Sequence, residues 1–220
     1  VVIKASFEDY TTTRMSLDGY KPVWEIGDEI VINGTVFTTS TAGEEATFTT
    51  TEAFDVELGS DIYAVYGAMT VAYEQEAREN NMPVGTPAYA EGVYSENTEL
   101  SFKNPAALLK FTSLVTGDLQ FYSVGGESLS GRLYVNGEDV TVSNGTSNVY
   151  IKGCRENRVY YVAVAPATLR EGLCVMCGNY TLKEGAVGQV LESNKIYDLG
   201  ELALPEDVEP VLNDWAVVGT

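Results

Sequence analysis

Histidine is absent from this 220-residue chain. That removes the Ser-His-Asp triad, the Cys-His dyad, the commonest general base and the commonest transition-metal ligand. Basic residues are scarce, 13 against 32 acids, for a net charge of −19. Phosphate binding needs a positive stripe, so nucleic acid is not an expected partner. An anionic membrane surface would repel the chain as well. No apolar run approaches the roughly 18 residues that span a bilayer. At the N-terminus, VVIKASFEDY lacks a basic segment followed by an apolar one, so any export signal is gone or never existed. EF-hand, P-loop, Gly-x-Ser-x-Gly and dinucleotide patterns are missing too.

Cysteine is limited to Cys154, Cys174 and Cys177. The last two form a Cys-x-x-Cys in LCVMCG, but its flanks read as strand, where a redox motif needs a strand-to-helix turn. On a strand, positions 174 and 177 face opposite ways. Small buried apolar thiols are the expected role; a disulfide to Cys154 and a metal site are the alternatives.

What the chain does have is the material of a globular β-protein. Hydrophobic residues make up 45%, with 14 Tyr, 7 Phe and 2 Trp to fill a core. IKASFE alternates Ile3, Ala5 and Phe7 against Lys4, Ser6 and Glu8. DIYAVYGA, DLQFYSV, RVYYVAVAP, EGLCVMC and NKIYDLG are short, rich in Val, Tyr and Ile, and bounded by turn formers. Asn33-Gly34, Asn136-Gly137 and Asn144-Gly145 each stand between strand-like runs and predict tight type I′ hairpins. The first and third are Asn-x-Thr sequons, as is Asn179-Tyr180-Thr181; turn chemistry accounts for the two Asn-Gly cases better than glycosylation. Thr70 to Asn81 reads equally as short helix or polar loop. In FKNPAALLKFTSL, the strand composition of the end and of the preceding TELSFKN favours strand over helix. Leu109, Phe111 and Ser113 then face one way, and Leu108, Lys110, Thr112 and Leu114 the other. Each half carries an Asn-Gly hairpin and a Tyr-rich strand. The fold expected is therefore all-β: two tandem β-sandwiches with few or no helices, residues 1–104 and 105–201, followed by a tail or appendage strand at 202–220.

TTTRMSLDGYKPVWEIGDEIVI, DIYAVYGA, FKNPAALLKFTS, VYYVAVAP and NKIYDLGEL, in that order, resemble the fimbrillin-like proteins of Bacteroidales, which include the major and minor subunits of surface fimbriae. The resemblance covers most of residues 1–201. Its most specific parts are Thr13 to Asp18 with Trp24 to Asp28, and the Asn-Pro-Ala-Ala-Leu-Leu-Lys-Phe block. It implies two transthyretin-like sandwiches, export (commonly as a lipoprotein) to the outer membrane and cell surface, and a non-enzymatic role in adhesion or fimbria building. Implied partners are other fimbrial subunits or host and bacterial surface ligands; no cofactor is implied. Subunits would join by donor-strand addition. The removable strand would be Val1 to Phe7, with Ile3, Ala5 and Phe7 facing inward. Arg14, the first arginine, is the candidate protease cut point, or else an ordinary strand-edge arginine. The C-terminal stretch Val211, Leu212, Trp215 and Val217 is the candidate donor, or else packs on its own second domain or leads into another.

Remaining sites read as structural. Trp24 is expected in the core, since apolar residues alternate around it. Tyr160 and Tyr161 should face opposite ways, with at least one exposed. Asp28-Glu29 and Glu138-Asp139 could hold Ca²⁺ loosely. Two other functions stay open: a carbohydrate-binding surface module of a glycan-uptake system, and a hydrolase working through two carboxylates.

Overall fold

A computed structural model describes residues 1–8, 11–12, 22–137 and 139–205. Among the described residues there are 21 strands and no helix, so the all-β expectation holds. The strands pack around two separate hydrophobic clusters.

The first cluster lies inside a seven-stranded sheet. Its order is Glu99–Phe102, Val2–Phe7, Glu45–Thr49, Thr35–Thr39, Glu29–Ile32, Asp61–Tyr66, Ala88–Val93. The sheet curls until its two ends meet: Tyr89 and Lys103 exchange backbone N–H···O bonds of 2.9 and 2.8 Å. Alternation puts Ile3, Ile30, Ile32, Phe37, Phe48, Ile62 and Phe102 inside. The 33–34 hairpin forms as its sequence demands, with φ of +46° at Asn33 and +92° at Gly34. Asn33 also holds the neighbouring strand, its Oδ1 accepting the Tyr63 N–H at 2.9 Å.

Around the second cluster two sheets face each other, with Phe111 and Phe121 in contact across the gap at 5.3 Å between ring centroids. One sheet runs Arg158–Val164, Ala107–Ser113, Lys195–Leu202, Thr11–Thr12; the other runs Tyr180–Gly185, Leu173–Cys177, Gly117–Ser123, Asn148–Cys154, Glu74–Glu76. The central run of the chain is thus a strand, Ala107–Ser113. Leu109, Phe111 and Ser113 are fully buried; Leu108 on the other face is buried too. The strand pairs antiparallel with Arg158–Val164 and parallel with Lys195–Leu202.

Three local expectations are corrected. Asn144-Gly145 is not a hairpin turn. It lies inside the strand Asp139–Thr146 as a bulge, where the pairing with Ser130–Asn136 slips one residue. The backbones touch there: a Cβ on Gly131 would sit 2.7 Å from the Gly145 Cα, so only glycine fits. At 136–137 the pairing Asn136↔Asp139 centres the turn one residue later than the Asn-Gly pair; Glu138 is outside the described residues. Tyr160 and Tyr161 are both buried, because the strand Arg158–Val164 is covered on both faces along 160–164.

Residues 70–80 settle as neither a helix nor a plain loop. They are a strap laid on the second pair of sheets. Thr70–Val71 pairs with Gly131 and Arg132, and Val71 is buried in the second cluster. Glu74–Glu76 runs parallel to Tyr150–Lys152. Between them Gln75 turns its side chain the other way. Its Nε2 donates to the Ala163 carbonyl at 2.7 Å and to the Ala72 carbonyl at 3.1 Å, and its Oε1 accepts the Ala163 N–H at 2.9 Å. Asn80 N–H then donates to Val159 O at 2.9 Å. One segment therefore caps the edge strands of both facing sheets. Such caps remove the exposed N–H and C=O groups that make an edge sticky.

Replacing Gln75 by Leu keeps the volume but leaves both polar groups of Ala163 buried and unpaired. Stability to urea should fall by about 2 kcal/mol; a loss under about 0.5 kcal/mol would show that the cap is dispensable. A second staple titrates. Glu127 accepts from the Ser123 hydroxyl and from Arg170 Nε at 2.7 Å, and these bonds, the Ser123 one first, hold its carboxyl down to about 2. A depressed carboxyl adds stability above its ordinary pKa of about 4.3 and loses it as pH falls through the folded value. Between pH 4.3 and 2, thermal melts of Glu127→Gln should therefore fall less steeply than those of the native chain.

Candidate functional site

The first strand is held on both sides. Val2–Phe7 runs antiparallel to Glu45–Thr49, with Ile3 opposite Phe48, and parallel to Glu99–Phe102, with Ala5 opposite Leu100. Lys4 N–H donates to Thr98 O at 3.0 Å, and Glu8 N–H to Phe102 O at 2.9 Å. Ile3 and Ala5 are buried at 0% and 1% exposure, while Phe7 is half-buried.

Phe7 closes the floor of this slot. Its ring stacks on Trp24 at 4.1 Å and 25°. Trp24 has no exposed surface and meets Phe48, Tyr66 and Phe102 edge-on at 4.9 to 5.3 Å. These are the offset and T-shaped geometries that the ring quadrupoles favour. Trp24 is fixed by a two-way backbone bridge to Gly43, at 2.8 and 3.0 Å. Its indole N–H has no hydrogen-bond partner among the described residues, so the ring is there for packing. On the outer rim, Lys4 lies 3.7 Å from Glu45 and 3.5 Å from Glu99, one ion pair to each neighbouring strand, and Lys103 lies 3.8 Å from Glu8. Exposed pairs of this kind contribute little; the aromatic floor and the two hydrogen-bond ladders dominate.

The structure does not describe the rest of the expected assembly apparatus. Arg14 and the Thr13 to Asp18 pattern lie outside the described residues, as do Val211, Leu212, Trp215 and Val217. The strand Lys195–Leu202 leads toward that tail, and Leu202 is buried.

Elsewhere the chemistry is quiet. All three cysteines are free thiols, Cys154 and Cys174 buried and Cys177 half-buried. Burial first, then the nearby Asp118 carboxylate, pushes the Cys154 thiol up to about 12, and the same causes raise Cys177. Thiols so held stay protonated at neutral pH. Among the described residues no three of His, Cys, Asp and Glu gather closely enough to hold a metal ion. Asp28 instead shapes its own turn: one oxygen accepts the Glu25 N–H at 2.8 Å and the other the Tyr66 hydroxyl at 3.2 Å. No described helix is long and apolar enough to cross a membrane.

Alternation in IKASFE gave the inward positions of the strand. What sequence reasoning missed is the Phe7–Trp24 stack, 17 residues apart, and the Gln75–Ala163 clasp, 88 residues apart. No local pattern encodes either one. Replacing Phe7 by Ala should lower urea stability by about 2 kcal/mol, below the range for a fully buried Phe because the ring is half-buried. Lys4→Ala should change it by less than about 0.5 kcal/mol. Equal losses in the two variants would contradict this ranking.

No protein-family model and no curated protein matches the chain. Among solved structures, a candidate cell adhesion protein of Bacteroides uniformis superposes with a TM-score of 0.55 over 91% of each chain, at 17% identity. A fimbrial protein of Bacteroides ovatus gives a TM-score of 0.49 at 11% identity, covering 90% of this chain and 47% of that one. A candidate cell adhesion protein of Bacteroides ovatus gives 0.47 at 13% identity, over 90% of each. This chain shares the fold of the Bacteroides uniformis protein along almost its whole length.

Proposed function

We propose that this chain is a non-enzymatic attachment protein of the bacterial cell surface, a fimbrial or adhesin subunit that assembles by donor-strand addition. The observation that carries the reading is the slot of the first strand. Val2–Phe7 sits between two other strands of its sheet, and the chain then pairs Thr11–Thr12 with Lys195 and Ile196 in the other half. A cut beyond Thr12 would leave the first strand and that two-residue pairing to be withdrawn together. Arg14 lies there and is the cut point in this reading.

Withdrawal of the strand would uncover Phe48, Leu100, Phe102 and Trp24. It would also leave the inner edges of Glu45–Thr49 and Glu99–Phe102 without partners. A new strand would restore the hydrogen bonds, and its alternate side chains would refill the positions of Ile3, Ala5 and Phe7. In the tail, Val211, Trp215 and Val217 share one parity of an extended chain, the pattern such an insertion needs; Leu212 falls on the other face. The two sandwiches would be transthyretin-like, residues 1–104 and 105–201, with Thr11–Thr12 and residues 70–80 lent to the second; of 202–220, the donor segment would begin after Leu202, which is buried in its own half. The likeness in fold to a candidate adhesion protein supports the same reading. Export as a lipoprotein to the outer membrane belongs to it, with other subunits or surface ligands of host or bacterial cells as partners. The charge of −19 would keep free subunits apart until strands exchange.

Limited trypsin treatment of the purified chain tests this directly. Cleavage after Arg14, read by mass spectrometry, should be followed by SDS-resistant ladders. Deleting residues 203–220 should abolish the ladders while leaving the cut. A protein that stays monomeric after cleavage at Arg14 would reject strand exchange.

A further inference from the structure

We propose that Asn136 is a site of spontaneous covalent modification, deamidating through its bond to Gly137, and that the fold protects the other two Asn-Gly pairs from the same reaction. The chemistry is general. The peptide nitrogen that follows an asparagine, once deprotonated, attacks the side-chain carbon Cγ. A nitrogen–carbon bond forms, the Cγ–Nδ2 bond breaks, and Nδ2 leaves as ammonia. Water then opens the cyclic imide at either of its carbonyls, giving aspartate or isoaspartate. Nothing is oxidised or reduced, and water is the only co-reactant. A following glycine favours closure because it has no Cβ to crowd the attacking nitrogen.

The chain carries this dipeptide at 33–34, 136–137 and 144–145, in three different settings. Asn33 has both ends of its amide held: Oδ1 accepts the Tyr63 N–H at 2.9 Å, and Nδ2 donates to the Asp61 carbonyl at 3.4 Å. Turning Cγ toward the Gly34 nitrogen would break both bonds. Asn144 has an exposed side chain, but its nucleophile is wedged. A Cβ on Gly131 would stand 3.0 Å from the Gly145 nitrogen, and one on Gly145 would stand 2.4 Å from the Ser130 carbonyl oxygen. Ring closure must swing that peptide, and the bulge leaves it no room.

Asn136 meets neither obstacle. It is the exposed last residue of Ser130–Asn136, and its side chain makes no hydrogen bond among the described residues. Gly137 lies beyond the last rung of the ladder, Asn136↔Asp139. Its N–H has no backbone acceptor among the described residues, and a Cβ placed on it would meet nothing within 4 Å. The product has a structural consequence. It sets a carboxylate directly opposite Asp139, and like charges so placed destabilise a strand pair. Isoaspartate also lengthens the backbone at that rung. The next rung is Val135↔Val140, and Val140 packs against the second core, so the hairpin loosens from its tip toward an apolar contact.

The test uses the uncut, full-length chain, so it is independent of strand exchange. One sample is aged folded at mildly alkaline pH and another in urea. Tandem mass spectrometry locates each converted asparagine, and an isoaspartyl methyltransferase reports isoaspartate. In the folded chain Asn136 should convert at least about tenfold faster than Asn33 or Asn144, because bonds and clashes raise the barrier at those two. In urea the three should convert at similar rates. Both aspartate and isoaspartate should form at Asn136, faster as pH rises. Asn136→Asp, which carries one of the products, should melt below the native chain. Equal rates at the three pairs in the folded chain would overturn the proposal, as would an intact Asn136. The same lead for Asn136 in urea would trace it to local sequence and overturn the role of the fold. Aspartate without isoaspartate would exclude the cyclic route. An unchanged melt of Asn136→Asp would overturn the loosening of the hairpin.

Discussion

Every strand at the edge of a sheet leaves a row of backbone N–H and C=O groups that must find partners or meet water, and an unpartnered row invites foreign strands. The architecture of this chain follows from how its edges are closed. In the first sheet the ends meet through the Tyr89–Lys103 bridge. In the second half, residues 70–80, borrowed from early in the chain, cover one edge of each facing sheet. The first strand does the same service for two inner strands at once. The first closure is local, between consecutive strands; the other two come from segments distant in sequence from the edges they cover.

That distinction separates two kinds of closure. Gln75 gives both ends of its amide to Ala163 inside a packed interior, and Val71 is buried beside it. A partner strand could copy the backbone bonds there but not the clasp. In the first strand the contributions are generic: backbone ladders, two small or aliphatic side chains and one ring against Trp24. Any extended segment with apolar residues at alternate positions can supply these. In the proposed exchange the low specificity of the slot is what would let another strand take it, whereas the clasp gives the strap a high specificity.

Much of this was legible from local pattern. Period-two alternation gave the strands, the buried side of IKASFE and the division of the central run into two faces. Asn33-Gly34 gave a true hairpin because both of its residues take positive φ between two strands that pair directly across the turn, Ile32 opposite Thr35. The same dipeptide at 144–145 misled, since its preference for positive φ serves a bulge as well as a turn, and only the approach of Gly131 from across the sheet decides between them. Residues 70–81 were illegible for the same reason: Gln75 and Asn80 look like solvated loop until the strand Arg158–Val164 lies beside them. Tyr160 and Tyr161 were misjudged because alternation counts faces but not layers, and this strand is covered on both. Of the candidate assembly residues, the sequence could place Ile3, Ala5 and Phe7 on one face, but the aromatic floor beneath Phe7 depends on Trp24, Phe48 and Phe102 converging from three separate segments.

The account stands on the first strand being a full member of its sheet, bonded along both edges, and not a loosely attached terminus. Native-state hydrogen exchange at the amides of Lys4 and Glu8 measures this most directly, with the Ala163 amide as the reference for a permanent closure. All three should be strongly protected, with Lys4 and Glu8 opening together at a lower free energy than Ala163, as a unit that can leave the sheet whole. Exchange of Lys4 and Glu8 at the rate of an unstructured chain, while the amides of Glu45–Thr49 and Glu99–Phe102 stay protected, would show that the sheet closes without the strand and would contradict the account.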